Sequence, residues 1–395
     1  MMSFQLMESN YQVFFEFVRA GLFPERELKG SKVHVFKDVN WDEVDRLAEE
    51  QSVVGLVAAG IEKVQEVQGF KSLSIPKEWS LQFVGRTLQI EQRNKDLNVF
   101  LAGLIDKLRM ADVYAILVKG QGIAQCYEKP LWRACGDVDL LLNSTNYEKA
   151  KKVLLPLAED VECEFKTLKH LGMNMKGGYV VELHGLLHSR LSKRVDKVID
   201  EAQNDVFYGG NVQSENFKDS RGLDVLVFLP SADNDVIFVF THILKHFYIE
   251  GIGLRQICDW CRLLWTYRET LNLGLLESRI RKAGLMSEWK AFGAFAVEYL
   301  GMPAEAMPFY SSKVQDVQKF KKKAQRIMEF VLEAGNFGHN REIKRSSIWI
   351  VGEIQAAWFK MKDFAHHARV FPLDSVKFFL HYLVDGIQQA RVQRR

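Results

Sequence analysis

Two aspartates interrupt an otherwise apolar stretch of this chain, Gly136–Leu142 (GDVDLLL), which has the composition of a buried β-strand. Residues two apart in a strand point to the same face, so Asp137 and Asp139 project together while Val138 and Leu140 point the other way. Burying two like charges without compensation costs free energy. A divalent cation removes that cost, since Mg²⁺ binds carboxylates together with water and substrate phosphates. The alternative is an exposed aspartate pair at a strand end, which the D-x-D spacing alone favours.

A third carboxylate lies inside a second strand-like run, Gly178–His184 (GYVVELH). Glu182 shares one face of this strand with Val180 and His184, which makes His184 a candidate for the same cleft. If this strand lies beside the strand of the two aspartates, three carboxylates converge. Three carboxylates can hold two metal ions, which clamp the attacking and leaving oxygens of a phosphoryl displacement.

A glycine-containing turn, Lys119–Gly122 (KGQG), ends a β-branched run and precedes a short helical pattern. Glycines let the backbone approach a phosphate, and a helix N-terminus offers unpaired N–H groups. Lys119 can add a point charge for the β- or γ-phosphate. Arg133 can also bind phosphate, although an ordinary surface arginine is an equal alternative. The turn lacks both the third glycine of the dinucleotide fingerprint and the GK[ST] ending of a P-loop, which disfavours both.

Helical patterns fill residues 1–112 and 230–395, and the residues between them, 113–229, alternate between strand and helix. We therefore predict an α+β fold, a small mixed sheet of the nucleotidyltransferase type flanked by helical N- and C-terminal regions and predominantly helical overall. Asn40 is a predicted N-cap, and a long helix is predicted from about residue 79 to 110. The predicted strands are 114–118, 138–142, 162–168 and 179–183. The predicted C-terminal helices are 231–248, 254–267, 275–283, 287–300, 314–334, 346–364 and 375–390.

The composition sets limits on function and compartment. A net charge of +3 over 395 residues gives no strong nucleic-acid signal. Five cysteines, an odd and sparse set, suggest a reducing compartment; Cys258 and Cys261 lie on one apolar helical stripe and are expected in the core. There is no signal-peptide pattern, and no apolar run approaches the ~18 residues of a membrane span. We expect a cytoplasmic protein.

The order of these motifs resembles a known fold. A strand ending in glycine, a short helix, a D-x-D strand and a third acid on a later strand are the order of the polymerase-β-type nucleotidyltransferases. The residues of the motifs resemble one branch more closely, the bacterial "uncharacterised nucleotidyltransferase" family. The matching residues are Val118–Gly120, Arg133, Gly136–Leu141 and Val181–His184. The resemblance extends to the flanks, at Asn40-Trp41-Asp42, His242 to His246, Leu254-Arg255 and Asp259.

The resemblance implies catalytic and metal-binding roles for Asp137, Asp139 and Glu182, which would hold Mg²⁺, two ions being expected. It implies an NTP as donor, with ATP the first candidate, although no base-reading motif is recognisable. The residues expected to bind the nucleotide are Lys119, Gly120, Gln121, Arg133 and His184. The expected reaction moves an NMP to a hydroxyl of a small-molecule acceptor and releases pyrophosphate.

The sequence differs from the usual superfamily pattern at two positions of the site. Gly120-Gln121 stands where Gly-Ser or Gly-Gly is usual, so Lys119 or Gln121 would have to replace a serine hydroxyl on the γ-phosphate. The third acid is Glu182 rather than an aspartate, which lengthens its reach by one methylene. Two alternatives stay open: a transferase that modifies protein or RNA, which a wide basic cleft would favour, and a non-catalytic nucleotide- or partner-binding descendant.

Two i,i+4 pairs in the C-terminal half give weaker signals. For His242 and His246 we favour packing or hydrogen bonding at a domain interface over metal binding, since no third ligand is apparent. For Arg255 and Asp259 we favour a local ion pair over a role of Asp259 as a base for the acceptor hydroxyl. The oligomeric state is not predicted.

Overall fold

The computed structural model describes residues 2–24, 39–66, 75–249, 251–311, 313–336 and 361–393. Four helices form the N-terminal region: α1 (Met2–Leu22), α2 (Trp41–Glu50), α3 (Val54–Glu66) and α4 (Lys77–Met110). The predicted N-cap is confirmed, because the side chain of Asn40 accepts a hydrogen bond from the backbone N–H of Glu43 at 3.2 Å. The long predicted helix is confirmed as α4.

The middle of the chain forms one mixed sheet whose strands run in the order β3-β4-β5-β2-β1-β7-β6. The strands are β1 (Ile116–Val118), β2 (Asp137–Leu141), β3 (Ala158–Val161), β4 (His170–Met175), β5 (Tyr179–His184), β6 (Val212–Lys218) and β7 (Asp224–Pro230), and the helices among them are α5 (Gly120–Ala124), α6 (Ser144–Leu154) and α7 (Lys193–Tyr208). The pairs β2–β5 and β1–β7 are parallel, whereas β1–β2, β3–β4, β4–β5 and β6–β7 are antiparallel.

The C-terminal region is helical. It contains α8 (Ala232–Ile249), α9 (Leu254–Thr266), α10 (Leu273–Ala283), α11 (Met286–Glu298), α12 (Val314–Ala334), helical residues 361–370 and α13 (Pro372–Gln393). The fold class is therefore confirmed as α+β, mostly helical, with a mixed sheet between helical flanks. None of the helices in the described ranges is long and apolar enough to cross a membrane.

Two hydrophobic cores cover the two faces of the sheet. One packs Leu97, Leu101 and neighbouring residues of α4 against inward-facing residues of the strands such as Val138 and Val181. The other joins the remaining N-terminal helices to α8–α12 and includes Cys258 and Cys261, both fully buried as expected. The sheet is thus enclosed by both helical regions. The predicted boundaries at 112 and 229 stay a prediction.

Part of the predicted sheet is wrong. Residues 162–168, predicted as a strand, form a loop with one isolated bridge from Phe165 to His170, and the neighbouring strands are β3 and β4. Exposed Cys163 lies in this loop. The elements α7, β3, β4, β6 and β7 were not predicted. Edge strand β6 (VQSENFK) is polar, and β4 (HLGMNM) contains Gly172 and Asn174, which disfavour a strand. Of the helix predicted at 346–364, residues 346–360 lie outside the described ranges and 361–364 are helical.

A candidate metal and nucleotide site

The three acids of the two strand motifs lie together in the centre of the sheet. Strands β2 and β5 are parallel neighbours, and their register places Asp139 beside Glu182 and Asp137 beside Val180. One carboxylate oxygen from each of Asp137, Asp139 and Glu182 lies within 4.8 Å of the others. The period of two along each strand therefore brings these side chains to one face, as the sequence pattern indicates.

Lysine and histidine side chains surround two of these carboxylates. Nζ of Lys119 donates to Oδ1 of Asp139 at 2.8 Å, and Nε2 of His184 donates to the same oxygen at 2.7 Å. Oε2 of Glu182 lies 3.1 Å from Nε2 of His170 and 3.3 Å from Nε2 of His184. The rings of the two histidines stack with their centroids 4.8 Å apart. The other oxygens of the three carboxylates have no hydrogen bond to a side chain in the described ranges.

The electrostatic surroundings shift the pKa values of the three acids in different directions. Repulsion from Asp139, together with burial, raises the pKa of Asp137 to about 6. Burial alone would raise the pKa of Asp139, but the charge of Lys119 and the hydrogen bond from His184 lower it below its usual value. Burial likewise opposes ionisation of Glu182, yet hydrogen bonds from His170 and His184 hold its pKa low. The three carboxylates are therefore ionised at neutral pH, which favours a cation beside them.

The glycine-containing turn lies against the end of β2. Lys119 has φ of 59° and ψ of −147°, a strained conformation for a residue with a side chain, and Gly120 follows with φ of 39°. A Cβ on Gly120 would lie 3.4 Å from the carbonyl oxygen of Asp137. The amide of Gln121 is buried and donates from Nε2 to that same oxygen at 3.3 Å. Gln121 thereby ties the turn to the strand that carries both aspartates.

Arg133 is buried rather than on the surface. Its guanidinium donates to both carboxylate oxygens of Asp259 on α9, at 3.1 and 2.6 Å, and the hydroxyl of Tyr127 donates to the same carboxylate at 2.8 Å. The structure thus gives Asp259 a partner far along the chain. Nη1 of Arg255 donates to the carbonyl oxygen of Ala134 at 2.8 Å. These contacts fasten α9 to the segment that leads into β2.

A cavity of about 390 Å³ is lined by the three carboxylates and by their neighbours Lys119, Gly120, His170, His184, Arg133, Arg255 and Asp259. The carboxylates, Lys119 and Gly120 form one wall, and α8 and α9 form the other with His242, Lys245, His246 and Arg255. Nε2 of His242 lies 2.9 Å from Nε2 of His246, so these two residues are hydrogen-bonded to each other and face the cavity. Sequence spacing favoured packing or hydrogen bonding at a domain interface, and a position facing the cleft was the lesser alternative; the structure shows both the hydrogen bond and a position in the cavity lining.

His170 lines the same cavity, although no sequence pattern had indicated it as a site residue. It is the first residue of β4, a strand that was not predicted, and it lies opposite His184 in the antiparallel register of β4 and β5. The available signal was the alternation of apolar residues in His170–Met175 (HLGMNM), a segment that begins two residues beyond the strand predicted at 162–168.

The donor set fits a hard divalent cation. Asp137, Asp139 and Glu182 offer only oxygen ligands, which Mg²⁺ prefers, and oxygens not engaged by Lys119 or the histidines remain available. A second group, His170, Glu182 and His184, shares Glu182 with the first, but its imidazoles already donate to carboxylates. The all-carboxylate group is therefore the better candidate for magnesium.

Comparison with known proteins identified a family. A family model described as "Uncharacterised nucleotidyltransferase" matches residues 37–301, which include α2–α11, the whole sheet and every residue of the cluster. Searches of curated proteins and of solved structures found no match.

Proposed function

The chain belongs to the uncharacterised nucleotidyltransferase family, and from this membership we propose that it moves an NMP from an NTP to a hydroxyl group of a small-molecule acceptor, releasing pyrophosphate. ATP is the first candidate for the donor. The observation that carries this proposal is the convergence of Asp137, Asp139 and Glu182 in one cavity.

In this proposal the three acids hold Mg²⁺, two ions being expected, and are the catalytic residues. When bound there, the metal would supply charge neutralisation for the phosphoryl displacement. The chain itself contributes a fixed ligand geometry, because both aspartates and Glu182 stand on paired strands of a buried sheet rather than on loops. Positioning and electrostatics account for most of the catalysis in such reactions.

The proposed nucleotide site is the wall beside the metal ligands. Lys119 and Gly120 border the cavity, and we assign them to the triphosphate. Gln121 is buried against the backbone of Asp137, so we assign it to holding the turn in place. We assign His184 to orienting Asp139, and Arg133, which borders the cavity while paired with Asp259, to the rim of the nucleotide site.

The mixed charge of the cavity lining supports a small acceptor over a macromolecule. A transferase acting on RNA or a protein would need a wide basic groove. Here the lining is shared between the cations Lys119, Lys245 and Arg255 and the carboxylates, and both helical regions enclose the sheet.

Calorimetric titration of each NTP, with and without Mg²⁺, tests the proposal. Wild type should bind at least one triphosphate in a magnesium-dependent way, and Asp137→Asn/Asp139→Asn should lose that binding. A control with two exposed acids of β3 changed, Glu159→Gln/Asp160→Asn, removes the same amount of charge and should bind like wild type. Pyrophosphate release then allows candidate acceptors to be compared.

Absence of triphosphate binding in wild type at any magnesium concentration contradicts the proposal. So does equal binding by the wild type and the Asp137→Asn/Asp139→Asn variant, because the metal would then not be held by these acids.

A further inference from the structure

His170, Glu182 and His184 lie side by side in the lining of the cavity, and the proposed function makes no use of the His170 imidazole. Strands β4 and β5 are antiparallel, and their register places His170 directly opposite His184. Residues opposite each other in an antiparallel pair lie on the same face of the sheet, as do residues two apart in one strand. The backbone of two paired strands therefore fixes all three side chains on one face.

The donor atoms of this group are spaced like the ligands of a single ion. Nε2 of His170 lies 3.1 Å, and Nε2 of His184 lies 3.3 Å, from Oε2 of Glu182. The two rings stack with 22° between their planes, so both present Nε2 to the same oxygen. Around a tetrahedral zinc ion with bonds of about 2.0–2.1 Å, neighbouring ligand atoms are separated by about 3.3–3.4 Å. The distances from both nitrogens to Oε2 are thus close to those between zinc ligands.

The donor set favours a transition metal over magnesium. Two imidazole nitrogens and one carboxylate oxygen are a ligand set that zinc uses in catalytic sites, with a fourth position left open. Imidazole suits zinc and its neighbours in the first transition series, whereas magnesium takes oxygen ligands. This group therefore differs in metal preference from the three carboxylates, although Glu182 belongs to both.

Both histidines are able to become ligands. In the hydrogen-bonded arrangement, Nε2 of each ring carries the proton that it donates to a carboxylate. A neutral imidazole can carry its proton on Nδ1 instead, which leaves the lone pair of Nε2 for a metal ion. The side chains of His170 and Glu182 are 24% and 27% exposed, so an ion can reach the group through the cavity.

We propose that His170, Glu182 and His184 bind a divalent transition-metal ion, with Zn²⁺ the first candidate, beside the carboxylates assigned to Mg²⁺. The ion is bound through Nε2 of both histidines and a carboxylate oxygen of Glu182, and it takes the place of their hydrogen bonds. Glu182 can serve both groups because a carboxylate has two oxygens. The site joins β4 to β5, and it does not depend on nucleotide transfer.

Calorimetric titration with Zn²⁺, and titration with Co²⁺ followed by visible absorption, test this site without NTP or Mg²⁺. The parent protein carries Cys163→Ser, because the exposed thiol of Cys163 is itself a potential zinc ligand. It should bind Zn²⁺ and give the strong visible bands of four- or five-coordinate Co²⁺. His170→Phe keeps an aromatic ring beside His184 but removes one ligand. It should bind Zn²⁺ about 10²-fold more weakly or worse, since changes behind the ligands already cost about 10–100-fold.

Three further variants separate ligation from other effects. His188→Gln removes another histidine of the cavity, one that pairs with Asp200, and should leave the Zn²⁺ affinity unchanged. Asp137→Asn alters the group assigned to Mg²⁺ and should keep the Co²⁺ spectrum. His170→Cys restores a ligand, so it should recover Zn²⁺ binding and add a near-ultraviolet thiolate-to-cobalt band.

Loss of binding in His170→Phe with recovery in His170→Cys supports the site. Binding of neither ion by the parent protein overturns it, as does equal Zn²⁺ affinity of the parent and His170→Phe. Loss in His170→Phe without recovery in His170→Cys overturns it too, because His170 would then act on the fold and not as a ligand. Magnesium-dependent NTP binding is a separate titration, so failure of either proposal leaves the other standing.

Discussion

Arg133 and Asp259 form a buried ion pair through two hydrogen bonds, with Nε–Oδ1 and Nη2–Oδ2 distances of 3.1 and 2.6 Å. Only 7% and 6% of the two side chains is exposed. The pair joins the segment before β2 to α9, so it links the strand of the two aspartates to the helical wall of the cavity.

We expect Asp259→Ala to destabilise the fold by about 3–5 kcal/mol, because it leaves the charge of Arg133 buried without its partner. Chemical denaturation followed by circular dichroism measures this loss. Arg46→Ala is the control, since Arg46 pairs with Glu43 and Glu50 at the surface and should cost about 1 kcal/mol or less. Equal losses in the two variants would show that burial of the Arg133–Asp259 pair does not matter.

Lys119 competes with a metal ion for Asp139, because its ammonium lies 2.8 Å from Oδ1. We expect Lys119→Met to bind Mg²⁺ alone about tenfold more tightly than wild type. Removing the positive charge of Lys119 should make the free energy of Mg²⁺ binding more favourable by about 1.4 kcal/mol. The same variant should bind Mg·NTP more weakly, since a phosphate contact is lost. Calorimetry of both titrations distinguishes these opposite effects.

The control for this prediction is Lys149→Met, in which an exposed lysine loses a surface pair with Asp112. It should bind Mg²⁺ and Mg·NTP like wild type. Weaker binding of Mg²⁺ alone by Lys119→Met would mean that the lysine organises the carboxylates instead of competing for them.

The acid cluster could be predicted from the sequence because it depends on the spacing of residues within short strands. Two-residue spacing places Asp137 beside Asp139 on one face, and the same rule places Glu182 beside His184. The only long-range assumption was that β2 and β5 are neighbours, and their parallel pairing confirms it. The helical flanks were predicted for a similar reason, since apolar periodicity and the Asn40 cap are properties of short segments.

Contacts between segments that are distant in the sequence could not be predicted from local spacing. Spacing suggested Arg255 as the partner of Asp259, whereas the structure pairs Asp259 with Arg133 across 126 residues of sequence. His170 was missed because it reaches Glu182 only through the antiparallel pairing of β4 with β5. Strand β4 has buried apolar residues at every second position, but Gly172 and Asn174 disfavour a strand, and its register in the sheet is set by pairing with β3 and β5.

Glu288 should make stability depend on pH. It is fully buried on α11 and accepts a hydrogen bond from the hydroxyl of Tyr248 at 3.2 Å. Burial, with the nearby charge of Asp374, raises its pKa to about 8 from an ordinary value of 4.5. Between these two values the folded state binds more protons than the unfolded state. The free energy of unfolding should therefore fall as pH rises through this window, by up to about 1.4 kcal/mol per pH unit, and level off above about 8.

Glu288→Gln keeps an acceptor for Tyr248 but cannot ionise, so it should flatten this dependence and be more stable than wild type at pH 8. Urea unfolding at pH 6, 7 and 8 gives both slopes. Asp235, whose pKa burial raises to about 7, acts in the same direction in both proteins and cancels in the difference. The same slope for wild type and variant would show that Glu288 stays charged in the folded state.

Gly60 lets α1 and α3 pack with their backbones in contact. A Cβ at this position would overlap the carbonyl oxygen of Phe17. Because both helices are buried there, this overlap can be removed only if the helices move apart. We expect Gly60→Ala to destabilise the fold by about 1–3 kcal/mol or more, as overpacking does.

Gly103→Ala on α4 is the matched control, because a Cβ there meets nothing within 4 Å. That change should instead stabilise the fold by about 0.5–1 kcal/mol through helix propensity. Thermal and urea unfolding of the two variants should therefore shift in opposite directions, and a shift in the same direction would contradict the close packing of α1 on α3.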